Sequence, residues 1–109
     1  MEGGPDFLVT RRRARDAVVV VPAGEIDLAT VDTLEAEIAA AVAEPHTEIL
    51  LDLRSTTFLD STGIRLVVEL ARDLGSVFGV VRGRGEVARV FDLVGLDGRV
   101  RMLDLPPGE

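Results

Sequence analysis

The residues of this chain with most chemistry to offer gather in one short run, Phe58-Leu59-Asp60-Ser61-Thr62-Gly63, and a helical pattern follows it at once. A serine in the first turn of a helix has free backbone N–H groups nearby and the positive end of the helix dipole beneath it. Such a position tolerates an added phosphate, which carries about −1.5 to −2 charges near neutral pH. The same residues also suit plain structural work, since Asp60 or Ser61 can cap the helix for ~1 kcal/mol. Thr62 offers a second hydroxyl, although hydroxyls in a first turn usually serve the backbone. A second turn, Gly24-Glu25-Ile26-Asp27, carries a carboxylate that either orients a reacting serine or caps the next helix.

Missing residue types exclude most other chemistry. The chain has no Cys, so disulfides, thiolate metal sites and thiol nucleophiles are ruled out. It has no Lys, and every basic residue is Arg, which removes Schiff-base chemistry and the lysine of a phosphate-cradling loop. The one histidine, His46, lies between Pro45 and Thr47 and reads as a solvated loop residue. A hydrolase built on Ser61 or Asp60 would therefore lack a supporting base or metal cluster. Arg82-Gly83-Arg84-Gly85-Glu86 pairs two glycines without the spacing of a nucleotide loop.

The elements that must position these residues show in the hydrophobic pattern. Residues 1–6 read as a flexible lead. Phe7 to Arg13 is a first strand with imperfect alternation. Ala17 to Gly24 is a stronger one, a β-branched run whose unbroken apolarity implies burial on both faces. Val31, Leu34, Ile38, Ala41 and Val42 make a helical stripe, with Thr30 as its N-cap, Asp32 and Glu35 in the first turn, and Pro45 as its stop. Glu48 to Arg54 reads as a central strand, followed by a loop through Gly63. Ile64, Val67, Val68, Ala71 and Leu74 line a second helix closed by Gly75. Val77 to Val81 is another strand. Val87, Val90, Phe91 and Val94 line a third helix ended by Gly95, and Arg99 to Leu103 is a last strand before the tail 106–109.

The order is ββαβαβαβ. It predicts a single α/β domain over residues 7–105, a mostly parallel mixed sheet with an antiparallel first strand and about three to four helices. A length of 109 residues fits one domain, and 47% hydrophobic content with four Phe and no Trp or Tyr makes the core aliphatic. Twelve basic against 19 acidic residues leave a net charge of −7, which argues against direct nucleic-acid binding. The basic cluster Arg11, Arg12, Arg13 and Arg15 reads instead as an edge strand blunted by charge. MEGGPDF lacks the basic start and apolar core of a signal peptide, and no apolar run approaches roughly 18 residues. The expectation is a cytoplasmic protein with no membrane segment.

From about Phe7 to Leu103 the chain resembles the STAS domains, and among them the bacterial anti-sigma factor antagonists. The resemblance rests on Gly24-Glu25-Ile26-Asp27, Ile49-Leu50-Leu51-Asp52-Leu53, Phe58-Leu59-Asp60-Ser61-Thr62-Gly63-Ile64 and Val94-Gly95-Leu96-Asp97, in this order and spacing. It departs from the family at Arg82 to Glu86, where a proline commonly stands near the helix start. The resemblance implies a partner switch without a catalytic site. The unphosphorylated form binds an anti-sigma factor that is also a serine protein kinase, and thereby frees a sigma factor. Phosphorylation of Ser61 abolishes binding, and a phosphatase resets the cycle. No cofactor is implied, the phosphate coming from ATP bound to the partner kinase. Asp27, Thr57, Asp60, Ser61, Thr62, Gly63 and Ile64, with Thr56 at the border, would line the partner surface, and Gly63 would let a partner or neighbouring loop approach closely. The alternative is a STAS-type accessory subunit of a lipid or anion transporter.

Overall fold

The computed structural model describes residues 6–109, so all but Asp6 of the lead expected over 1–6 lies outside the described residues. Strands β1 (Leu8–Ala14) and β2 (Ala17–Ile26) form an antiparallel hairpin, followed by helix α1 (Val31–Ala43), β3 (Glu48–Asp52) and β4 (Thr56–Leu59). Helix α2 (Ser61–Leu74), β5 (Phe78–Val81), α3 (Gly85–Val94) and a short β6 (Met102–Leu103) complete the chain. The sheet runs β1-β2-β3-β5-β6, with β4 paired to the far half of β2, and every pairing after the hairpin is parallel. Among the described residues no helix is long and apolar enough to cross a membrane.

Each parallel connection steps the same way across this sheet, so right-handed crossovers bring the helices to one face. The packing agrees. Leu34 and Ile38 of α1, Leu66 and Val67 of α2, and Val87 and Phe91 of α3 share a single cluster. The sheet residues Val18, Val20, Ile49, Leu51, Phe78 and Val80 belong to the same cluster. The alternate residues Val19 and Leu50 point to the other face yet are 0% exposed. A small second cluster with Ala14 and Ala17 surrounds them there, and the buried Pro106 belongs to the chain end that follows β6. Gly79 of β5 shows how tightly that face is closed: a Cβ there would stand 2.9 Å from both the Arg101 guanidinium and Leu103. Arg101 reaches on to Glu48 at 2.8 Å. Unbroken apolarity in β2 thus reflects two unequal layers, helices on one face and flat-lying side chains on the other.

Four sequence expectations change. The stretch after β3, read as loop, contains β4, which makes the order ββαββαβαβ. Thr30 flanks α1, but its hydroxyl does not cap the helix; it donates to the Glu25 carbonyl at 2.7 Å and accepts the Asp27 N–H at 2.9 Å. Only Asp32 of the two acids lies in the first turn of α1. The last strand is Met102–Leu103 alone. The basic residues of β1 do sit on an edge strand: Arg11 pairs with Glu37 and Glu44, Arg13 with Glu44, and Arg12 with Glu109.

Candidate functional site

The parallel pairing of β2 with β4 builds the site. Gly24 faces Thr56, then Glu25 faces Phe58 and Ile26 faces Leu59, so β4 holds one residue more than β2 over this stretch. Thr57 is the extra residue, a β-bulge of the kind that redirects side chains beside functional surfaces. Thr56 and Leu59 remain buried, while Thr57 and Phe58 both face outward. The Thr56 hydroxyl donates to the Pro22 carbonyl at 3.0 Å, so this residue belongs to the core and not to the partner surface expected of it. Phe58, an aromatic side chain among polar neighbours, is 45% exposed as a result.

The ladder then hands over to α2. The Asp60 N–H donates to the Ile26 carbonyl at 3.2 Å, which sets Asp60 beside the carboxyl end of β2. Asp60 is the N-cap: its Oδ1 accepts the N–H groups of Thr62 at 2.9 Å and Gly63 at 3.4 Å, and also the Thr62 hydroxyl. The Thr62 hydroxyl, with those two N–H groups, holds the Asp60 carboxyl below its ordinary value, so the carboxylate is ionised at neutral pH. Ser61, between these two engaged side chains, is exposed, and its hydroxyl makes no hydrogen bond among the described residues. Of the two hydroxyls in the turn, only that of Ser61 is unoccupied.

Gly63 meets close neighbours from within its own domain, one of the two kinds of approach expected of it. A Cβ there would lie 2.3 Å from Leu59 Cδ1 and 2.9 Å from Ile26 Cγ2. Its absence lets the first turn of α2 settle on the ends of β2 and β4. Ile64 is half-buried and packs against the main core. Asp27 does not cap α1 either. Its Oδ1 accepts the Ala29 N–H at 3.0 Å, and its carbonyl accepts the N–H groups of Thr30 and Val31 at 3.1 and 2.9 Å. It folds the turn that carries Leu28, whose side chain is 76% exposed.

The structure therefore brings Asp27, Thr57, Asp60, Ser61 and Thr62 to the carboxyl ends of β2 and β4. Leu28 and Phe58 are added to them; the sequence signal for both was an apolar residue in a turn, outside any stripe. A cleft of about 410 Å³ opens beside them, lined by Phe7, Glu25, Asp27, Thr30 and Thr57 among others. His46 lies before β3, at the opposite end of the strands, where its Nδ1 is 2.6 Å from the Glu44 carbonyl oxygen. It gives Ser61 no base.

The whole is a mixed sheet layered by helices on one face, with a capped Asp-Ser-Thr-Gly turn at its carboxyl edge. The family model described as the STAS domain matches residues 9–104, and the chain belongs to that family. It is 33% identical over 101 residues to the anti-sigma-F factor antagonist RsfB of Mycobacterium tuberculosis, covering 90% of this chain and 83% of that one. The solved structure of an anti-sigma factor antagonist from Mycobacterium paratuberculosis superposes with a TM-score of 0.82 at 29% identity, covering 96% of this chain and 92% of the other. The anti-sigma factor antagonist SpoIIAA has been solved unphosphorylated, with a TM-score of 0.67, 25% identity and coverage of 92% and 88%. Bacillus SpoIIAA in its phosphorylated form gives 0.63, 27%, 92% and 91%.

Proposed function

We propose that this chain is an anti-sigma factor antagonist working as a partner switch. Its unphosphorylated form binds an anti-sigma factor that is also a serine kinase and so releases a sigma factor; phosphorylation of Ser61 abolishes that binding, and a phosphatase restores it. The chain acts by binding, not catalysis, and the phosphate comes from ATP held by the kinase.

The observation that carries this reading is the free, exposed Ser61 hydroxyl between Asp60 and Thr62, both of which are already engaged. A kinase can reach it without unmaking a hydrogen bond. Leu28 and Phe58 supply exposed apolar anchors on the same edge of the sheet, the kind of group that carries binding energy at interfaces. A dianion at Ser61 stands beside the Asp60 carboxylate, so docking would then have to desolvate concentrated negative charge. Within the domain the N-terminus of α2 favours that charge, and the exposed Arg65 lies one turn along, so the scaffold survives the modification. Names and forms of the relatives point the same way, one solved SpoIIAA being phosphorylated.

Incubation with a cognate anti-sigma kinase and ATP tests this directly. Mass spectrometry should find one phosphate, on Ser61, and Ser61→Ala should accept none while still binding. Phosphate on another residue, or none on the wild type, would refute the assignment.

A further inference from the structure

The face of the sheet away from the helices holds a second site unrelated to Ser61. At the carboxyl ends of β3 and β5, where open α/β sheets receive ligands, a cleft of about 430 Å³ is lined by Arg12, Arg54, Arg84, Asp52 and Glu109 among others. Arg54 uses one edge of its guanidinium on Asp52, with Nε 3.0 Å from Oδ1 and Nη2 2.8 Å from Oδ2. Asp52 is 2% exposed, so that pair is fixed in the fold. The other edge of Arg54 points into the cleft and grips the Glu109 carboxylate from Nη1 at 2.8 Å and Nη2 at 3.1 Å. Arg12 Nη2 adds a third donor at 2.7 Å. Arg84 is exposed on the same cleft and has no ion pair among the described residues.

Three N–H donors from two arginines on one carboxylate reproduce how proteins hold oxyanion ligands. Here the guest belongs to the chain itself. Three guanidiniums face two carboxylates, and departure of Glu109 would leave three against one. Arg84 is also the N-cap residue of α3 and supplies no side-chain acceptor, so the first-turn N–H groups of that helix add to the positive field. Pro106 is buried, Gly108 has φ +86°, and Glu109 follows it directly, its N–H donating to the Pro106 carbonyl at a long 3.3 Å. Rotation at Gly108 alone can withdraw the Glu109 side chain while Pro106 stays seated.

From this geometry we infer that the Arg12–Arg54–Arg84 cleft binds a phosphate-bearing anion, with Glu109 as a resident self-ligand that must vacate. The test is an NMR titration of the full chain, at constant ionic strength, with inorganic phosphate and in parallel with glycerol 3-phosphate. The tighter of the two identifies free phosphate or a phosphate ester as the source. Glu109→Gln should bind about fivefold more tightly than wild type, the scale of one relieved surface ion pair, with amide shifts centred on Ser55 and Arg84. Arg84→Gln in the Glu109→Gln background should abolish that gain. In the wild-type chain, saturating phosphate should shift the Glu109 amide as its side chain leaves, a reading that needs no variant to fold. Equal affinity of wild type and Glu109→Gln, a gain indifferent to Arg84, a Glu109 amide that stays still, or no saturable binding of either anion would each overturn the inference.

Discussion

Two turns of this molecule start alike and end differently. Each follows a parallel strand, β2 or β4, each places an Asp next after it, and in each the Asp carboxylate binds backbone ahead of it. After Asp27 the chain runs on for three residues, and the hydroxyl it meets, on Thr30, is buried and bound to Glu25. After Asp60 the helix begins at once, so Ser61 becomes its first residue with nothing to bind. What occupies a hydroxyl in these two turns is the neighbours its position gives it: the Glu25 carbonyl and the Asp27 N–H at Thr30, none among the described residues at Ser61.

The sharpest test of this contrast is charge at the free position. Ser61→Asp should weaken partner binding about a hundredfold, as expected for several kcal/mol of like-charge crowding; calorimetry against the partner reads it. Equal affinity of wild type and Ser61→Asp would break the comparison. Gly63→Ala comes next, since its methyl must displace Leu59 and Ile26, and should cost ~1–3 kcal/mol in denaturant unfolding. Asp60→Ala removes the cap of α2 and should cost ~1 kcal/mol. Asp27→Ala, which undoes an exposed turn bond and a long contact from the Thr30 hydroxyl at 3.3 Å, should cost about 0.5 kcal/mol.

The smallest effect is one of pH. The folded state depresses the Asp60 pKa below its unfolded value of about 3.9. Its charge therefore adds stability that is fully present above that pH and disappears as pH falls through the folded value. Melting temperatures of wild type and Asp60→Asn should converge on acidification below about pH 4. A gap unchanged from pH 7 to pH 3 would mean that the cap works without its charge.

Much of this architecture was written in the local pattern. The β-branched run of β2 and the stripes through Leu34 and Ile38, Leu66 and Val67, and Val87 and Phe91 each place a face against the core by periodicity alone. Strand β4 was illegible because its bulge sets Thr57 and Phe58 outward together, which erases alternation in a four-residue strand. The arginine cleft on the second face was illegible for another reason. Arg54 and Arg12 meet Glu109 from 55 and 97 residues away, and no local window spans such pairs. At the site, the Asp-Ser-Thr-Gly turn could be read directly, but not the inward reason for Gly63, which exists only once β2 and β4 lie side by side.

The surplus residue in β4 makes this edge of the protein sensitive to counting as well as to identity. Excising Thr57 would bring β4 into step with β2 and leave Thr56 and Leu59 pointing inward, so the scaffold would close as before. What disappears is one of two adjacent outward side chains, and with it the sideways displacement of Phe58 and of everything downstream to the start of α2. A single-codon deletion could in this way retune whom the molecule recognises while leaving its interior untouched.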